Sequence, residues 1–463
     1  MADRMKCFTI KHLSIMPLLL WACAASAGPP PRVHFAVSPA QPLMDDRISI
    51  IVTGLPPNQL ITFKARSQAQ DQLWWRSEAV FNSGPAGTID LAHQPSLSGT
   101  YTGVAGMGLF WSMKPDPDAS TGDRVFFAMS DWFQPIVTEI EADSAGQPLG
   151  SVVIERRFAA PGTRCTAIAE AGITGLLCAP GDSHPHPAVL VLGGSEGGIG
   201  MEDTALLLAS HGFTALSLAY FGVPGLPPTL QNVPIDHFAK ALQWLRARPE
   251  TDPAFVAVFG VSRGAEAALQ FAATDPAVAA VVARSPSFVR WEGATANQLP
   301  GGPAWTCRGK PLPYVPFRIP LSFAAQYLWG MVTGEPIRQT PLFLHSLAVF
   351  GDTASAEIPV ENIHGPVLLL SGKDDGIWPS AMMANRILDR LRRNNHPYAD
   401  QHLSYDAVGH WIPCEFLPTA GDRQKMKLVL GGTAEGTAAA QADSWPRILW
   451  FLTQASVEKK TRP

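Results

Sequence analysis

The sequence predicts two folded parts: an all-β, immunoglobulin-like sandwich over residues 33–150 and an α/β domain over residues 151–455. Three observations carry this reading. In the first part, short strand-like runs recur about every ten residues and are separated by Gly, Pro, Asn and Asp, the rhythm of a sandwich. In the second part, fully apolar runs alternate with segments whose apolar residues fall at helical spacing, as in βαβ units around a parallel sheet. Two of those apolar runs break into Gly-x-Ser-x-Gly, the pattern of a serine held on a sharp strand-to-helix turn.

Composition leaves room for both parts. The chain has 463 residues, 46% of them hydrophobic and 16% charged, and a domain takes roughly 150 residues. Its 35 Lys+Arg against 39 Asp+Glu give a net charge of −4. With no basic stripe or block of like charge, nucleic acid is excluded as a partner. The 42 prolines and 40 glycines are spread along the chain, as turns of a folded protein are. The first 27 residues stand apart: Arg4, Lys6 and Lys11 precede an uncharged run, Leu13 to Ala27, that ends in Ala25-Ser26-Ala27. This is the pattern of a secretory signal, too short to span a bilayer, so the expected location is periplasmic or extracellular without stable membrane insertion. A lipoprotein anchored through Cys23 is the lesser alternative, because Trp21 is bulky for a lipobox. Past the signal remain Cys165, Cys178, Cys307 and Cys414. Export permits up to two disulfides among them, and Cys165 and Cys178 flank a hairpin-like stretch that would let them face each other. Their spacing fits no zinc pattern, and no metal or other cofactor is expected.

Taken in order, the sandwich strands are "RISIIVTGL", "LITFKARSQ", "LWWRSEAVFNS", "GTIDLA" and "GTYTGVAGMGLFWSM". The α/β pattern then runs through strand "AVLVLGG", helix "EDTALLLASHG" and strand "FTALSLAYFG". Helix "IDHFAKALQWLRARP" follows, with Ile235, Phe238, Ala239, Leu242 and Leu245 on one face, then strand "AFVAVFG", helix "GAEAALQFAATDP" and strand "AVAAVVARSP". Residues 285–357 interrupt this rhythm with Pro, Gly, Trp and Phe, and an excursion of that length reads as a lid over a site. Strand "PVLLLSG", helix "SAMMANRILDRLRRNN", strand "DQHLSYD" and a last helix near "ADSWPRILWFLTQA" complete the domain.

Position selects between the two serines. Ser262 opens directly into the helix former "RGAEAALQFAA", whereas Ser195 is followed by three glycines within five residues. In an α/β-hydrolase the nucleophile follows a central strand, and a loop after an earlier strand donates to the oxyanion. Ser262 is therefore the candidate nucleophile. The expected oxyanion donors are the Arg263 N–H and one N–H from Gly194 or Ser195. A serine needs a base oriented by a carboxylate, in chain order Ser, Asp, His. His396 sits in a turn before proline and His402 inside a strand, which leaves His410, on the loop after that strand, as the base. The acid is Asp375 or Asp374, and the G-x-x-D spacing from Gly372 favours Asp375. The partner is thus a small molecule with an acyl carbonyl.

On these residues the chain resembles the acyl-CoA thioesterases and bile acid-CoA:amino acid N-acyltransferases. The similarity runs through "LSGTYTGVAGMGLFWSMKPD" and then through "LGGSEGG", "VFGVSRGAEAAL", "SGKDDGIWPS" and "LSYDAVGHWIP", in the family's order. The resemblance implies an acyl-serine hydrolase with Ser262, Asp375 and His410 as its triad, and it implies acyl-CoA cleavage to free fatty acid and CoA. Members that acylate glycine or taurine carry cysteine at the nucleophile, so Ser262 points to hydrolysis. The family's thioesterases usually place lysine where this chain has Arg263. Export sits awkwardly with a cytosolic acyl-CoA and leaves N-acyl transfer or secreted carboxylesterase action on other esters as alternatives. Arg284, Arg290, Arg308, Lys310 and Arg318 face the single acid Glu292 and read either as a basic lid for phosphates or as solvated charges on a surface insertion. An inert hydrolase domain beside a binding sandwich is the remote alternative.

Overall fold

The computed structural model describes residues 32–116, 126–295, 300–421 and 427–461. The signal-like residues 1–27, with Cys23, lie outside the described residues.

The all-β half begins with β1 (His34–Ser38), β2 (Ser49–Thr53), β3 (Leu60–Gln68), β4 (Trp74–Asn82), β5 (Ile89–Asp90) and β6 (Ser98–Gly99). The short helix α1 (Gly108–Trp111), β7 (Lys114–Pro115), β8 (Ile136–Ser144) and β9 (Gln147–Arg156) complete it. One sheet has the order β1-β2-β5 and the other β6-β4-β3-β8-β9, all antiparallel. Strict alternation in β3 and β4 buries Ile61, Phe63, Ala65, Trp75, Ala79 and Phe81 on one face, as period-2 patterning requires. Two expectations are corrected. The "GLFW" stretch is a helical turn, not a strand, because the Tyr101 ring packs directly on Gly108 where any side chain would collide. The sandwich ends at Arg156 rather than at residue 150, because β9 pairs with β8 along nearly its whole length.

The α/β half opens with a hairpin of β10 (Arg164–Glu170) and β11 (Ile173–Ala179), in which Cys165 faces Cys178 and is bonded to it. Cys307 and Cys414 are free, so the four cysteines make one bridge and not two. Then come β12 (His186–Leu192), α2 (Glu202–Ser210), β13 (Thr214–Leu218), β14 (Val233–Pro234), α3 (Asp236–Arg246), β15 (Thr251–Val261), α4 (Arg263–Ala272) and β16 (Val281–Arg284). The insertion between β16 and the next sheet strand carries β17 (Glu292–Ala294), β18 (Pro300–Pro303), β19 (Trp305–Cys307), β20 (Lys310–Pro311), α5 (Leu321–Thr333) and α6 (Thr340–Phe350). The sheet resumes with β21 (Val367–Gly372), α7 (Ser380–Arg393) and β22 (Gln401–Tyr405), and α8 (Ala434–Thr461) closes the chain.

The central sheet has eight strands in the order β10-β11-β13-β12-β15-β16-β21-β22. From β13 onward every pair is parallel. Strands covered on both faces read as unbroken apolar runs, and β12, β13, β16 and β21 are buried from end to end apart from the first residues of β12. Alternate residues still serve different layers. Leu190, Val258 and Leu369 pack with α3, α4 and α7, while Val191, Phe259 and Leu370 pack with α2, α8 and the sandwich. α8 runs through Pro446 and is much longer than the expected closing helix.

The sandwich braces the α/β half close to the site. Arg156 donates to the Phe416 carbonyl (2.6 Å) and lies over the Phe110 ring. The Phe416 N–H donates to the Met44 carbonyl (2.8 Å), and the Thr419 N–H to that of Trp111 (2.9 Å). The segment just past His410 is thereby pinned to residues of the all-β half.

Candidate active site

β15 ends at Val261 and α4 starts at Arg263, so Ser262 is the whole turn between them. Its φ of 55° and ψ of −120° are unusual for a residue with a side chain, and this strain aims the hydroxyl out of the sheet edge. The flanking glycines are forced by close approach. A Cβ on Gly260 would lie 2.1 Å from the Gly264 carbonyl, and one on Gly264 would lie 2.1 Å from that of Gly193. The Ser262 N–H is fixed by the Arg284 carbonyl (2.9 Å).

The structure brings the three predicted side chains together. His410 Nδ1–H donates to Asp375 (2.9 Å to Oδ2), which leaves Nε2 to accept from the Ser262 hydroxyl at 2.9 Å. Asp375 is 4% exposed, and its Oδ1 also accepts the Ile377 and Trp378 N–H groups. His410 is held by its N–H on the Leu430 carbonyl and by its carbonyl on the Ser285 hydroxyl (2.7 Å), with Trp378 edge-on to its ring. Asp374 points elsewhere, to Arg338 (2.9 Å) and the Gly432 N–H (2.8 Å). His402 bonds Ser371 and Asn385 from within β22, and His396 is a buried structural residue between Asp400 and the Ile363 carbonyl.

Ser195 stands exposed on the turn after β12, a turn that continues as loop until α2 begins at Glu202. A Cβ on Gly194 would be 3.4 Å from the Ser262 Cβ, so this turn borders Ser262. The Gly194 N–H is committed to the Glu196 carboxylate (2.8 Å). Of the two expected donors, that leaves Ser195. The Arg263 N–H, at the first position of α4, has no preceding turn of helix to receive it. Tyr220 secures the turn by donating to the Gly193 and Gly194 carbonyls, and burial holds its phenol well above the usual range, so it remains a donor.

Sequence reasoning missed the side chains beneath the site. Glu266, fully buried on α4, accepts from the Trp305 indole (2.5 Å) and the Trp291 N–H (3.1 Å), and faces the Arg263 guanidinium at 3.3 Å. Arg263 in turn donates to the Trp291 carbonyl (3.2 Å). Burial pushes the Glu266 carboxyl up and Arg263 opposes it. The signal was present as an i, i+3 charge pair inside an otherwise apolar helix. Glu266→Ala strands a buried guanidinium and two N–H groups, and is expected to cost about 3–5 kcal/mol in urea unfolding. Glu266→Gln, which keeps an acceptor, is expected to lose roughly 1–3 kcal/mol.

The five basic residues expected to hold phosphates do not form a set. Arg284 is the last residue of β16, buried, and donates to Cys414 Sγ and Met201 Sδ. Arg290 is buried and spent on the Pro313 and Ser355 carbonyls and on Gln270. Glu292 accepts the Phe317 N–H (2.7 Å) and is structural. Arg308, Lys310 and Arg318 reach solvent.

Arg284 belongs instead to a cluster behind the His410 loop, with Asp203 and the buried Glu415. Burial, with Asp203 beside it, pushes the Glu415 carboxyl up to about 8. A carboxyl raised in the folded state binds its proton more tightly there than in the unfolded chain, so stability is lost as pH rises from its ordinary 4.5 toward about 8. Glu415→Gln is expected to flatten that slope, leaving the part that Asp203 contributes. Thermal melts across this range should show the variant gaining on the parent with rising pH.

Among the described residues no helix is long and apolar enough to cross a membrane. The model for the acyl-CoA thioester hydrolase/BAAT N-terminal region matches residues 45–170, and that for the BAAT/acyl-CoA thioester hydrolase C terminal matches residues 233–458. Mouse acyl-coenzyme A amino acid N-acyltransferase 1 is 30% identical over 91% of this chain and 97% of its own length. This chain belongs to that family. Rat acyl-coenzyme A thioesterase 1, another relative, is 29% identical over 88% of this chain and 93% of its own. Among solved structures, a putative dienelactone hydrolase from Klebsiella pneumoniae covers 63% of this chain and 98% of its own at 17% identity and a TM-score of 0.39, too loose a likeness to add to the topology. The "GLFWSM" phrase lies in the first matched region, where its Trp111 carbonyl holds Thr419 beyond the histidine loop.

Proposed function

We propose that this protein is a serine hydrolase that cleaves an acyl thioester or ester, with acyl-CoA as the leading substrate class. The reading is carried by the Ser262–His410–Asp375 hydrogen-bond chain at 2.9 Å on each side of the imidazole. Ser262 Oγ attacks the acyl carbonyl while His410 Nε2 takes its proton, and Asp375 stabilises the imidazolium. The Arg263 and Ser195 N–H groups receive the oxyanion. On collapse the proton passes from His410 to the departing thiol or alcohol. Water then loses a proton to His410, attacks the acyl-serine and releases the carboxylic acid and the free serine.

A second acceptor is favoured by one observation: a relative named as an amino acid N-acyltransferase is 30% identical over nearly the full chain. An amine replacing water would give an amide, and Ser262 in place of cysteine argues for water. The all-β half is read as an immunoglobulin-like sandwich, supported by its two antiparallel sheets. Export is proposed as well, supported by the signal-like residues 1–27 and the Cys165–Cys178 disulfide, a bond typical of oxidising compartments. The test is turnover of acyl-CoAs and p-nitrophenyl esters of graded chain length, with and without glycine or taurine. Thiol release with free acid as product is expected. Simple-ester turnover without thiol release would remove the thioester assignment, and an amide product would replace hydrolysis by transfer.

A further inference from the structure

The lid ends in a helical hairpin whose surface is wrong for water. Neither α5 (LSFAAQYLWGMVT) nor α6 (TPLFLHSLAVF) contains a charged residue apart from what His345 can acquire. On α5 only Phe323 is buried. Leu321 is 89% exposed, Val332 83%, Met331 61%, Trp329 60%, Leu328 59% and Tyr327 50%. At 3.6 residues per turn these six side chains span roughly 200° of the helix circumference. An ordinary protein contact covers a stripe of about 100°, so a flat partner or a second copy would leave half of this arc wet. A fluid apolar phase covers all of it.

Three further features specify that phase. α5 has 13 residues, about 20 Å, which is too short to cross a bilayer of about 30 Å. Tyr327 and Trp329 are the residue types that settle at headgroup depth. The exposed cations of the insertion, Arg308, Lys310 and Arg318, outnumber its exposed acids, Glu335 and Asp352. Arg318 stands at the foot of the hairpin, its N–H on the Ser346 hydroxyl of α6, and has no carboxylate within ion-pair distance among the described residues. Arg308 and Lys310 are exposed on the same insertion, whereas Glu292 is taken by backbone N–H groups and Glu335 by the Trp329 indole. The hairpin is also continuous with the chemistry: Phe343 of α6 packs edge-on to Trp378 (5.6 Å), and Trp378 packs on His410 (5.6 Å).

We propose that the α5–α6 hairpin docks on an anionic lipid surface, with α5 immersed at headgroup level and the cations of the insertion on the lipid phosphates. The test is flotation of the full chain with vesicles of equal parts phosphatidylcholine and phosphatidylglycerol, beside the Leu328→Ser/Val332→Ser double variant. Both positions are exposed, so the fold is expected to survive, as far-UV circular dichroism would verify. Both proteins carry the same N-terminal segment, so their difference reports the hairpin alone. The parent is expected to bind, and the double variant to bind on the order of a hundredfold more weakly, about tenfold per residue. Arg318→Gln is expected to weaken binding several-fold on these vesicles and to change little on pure phosphatidylcholine. No binding by the parent, or equal binding by the double variant, would overturn the proposal. So would a dimer in sedimentation equilibrium that the double variant dissolves, because the hairpin's occupant would then be a second copy.

Discussion

Ser262→Ala is expected to lower kcat for acyl-thioester hydrolysis by about four to six orders of magnitude. KM should change little, because the substitution removes one oxygen from a turn whose backbone is set by Gly260, Gly264 and the Arg284 carbonyl. The matched control is Ser195→Ala. Both serines sit in Gly-x-Ser-x-Gly after an apolar strand, yet only Ser262 lies against the His410 imidazole. The role proposed for Ser195 lies in its main-chain N–H, which alanine keeps, so its variant should stay within about tenfold of the parent. Single-turnover assays on both variants would decide. Comparable losses would mean that the Ser195 hydroxyl takes part in the chemistry, and retained activity in Ser262→Ala would remove the acyl-serine altogether.

The contrast between these serines marks what could be read without coordinates. Strand, elbow and helix are local features, and "VFGVSRGAEAALQFAA" contains all three in one stretch. The order Ser, Asp, His is equally legible, because the sheet order dictates which loops meet at its edge. Packing and strand pairing were less visible, between near neighbours as well as between distant segments. The helical turn at Gly108 exists because Tyr101 fills the space above it. The sandwich strand running past residue 150 is defined by its pairing with β8, not by its own composition. Arg284 and Arg290 read as solvated charges in an insertion, whereas one ends a central strand and the other anchors loops. Charge counted along a chain does not say which cations are spent inside. Glu266 was overlooked for the same reason, since its partners Trp291 and Trp305 come from an insertion whose path could not be anticipated.

The adjacent carboxylates Asp374 and Asp375 give the last sharp contrast. Gly372 ends β21 where a side chain would lie 2.2 Å from the Val408 carbonyl, so the acid loop and the histidine loop touch there. From that crossing the chain presents Asp375 inward, 4% exposed, with both oxygens on His410 and two further N–H donors on Oδ1. Asp374 is turned outward, its side chain 49% exposed and paired with Arg338. Asp375→Asn keeps the size but loses the charge that stabilises the imidazolium. It can also present an N–H to Nδ1 and so reverse the tautomer, leaving Nε2 protonated toward Ser262. A loss in kcat of about 10⁴-fold is expected, with a near-normal KM. Asp374→Asn retains an oxygen for the Gly432 N–H and gives up only a surface ion pair, generally worth about 0–1 kcal/mol, so its kcat should fall less than about threefold. Measuring both variants with one thioester separates roles that sequence spacing could only rank. If Asp374→Asn proved the more damaging, the acid would belong to the outward carboxylate, and the His410–Asp375 contact would be structural.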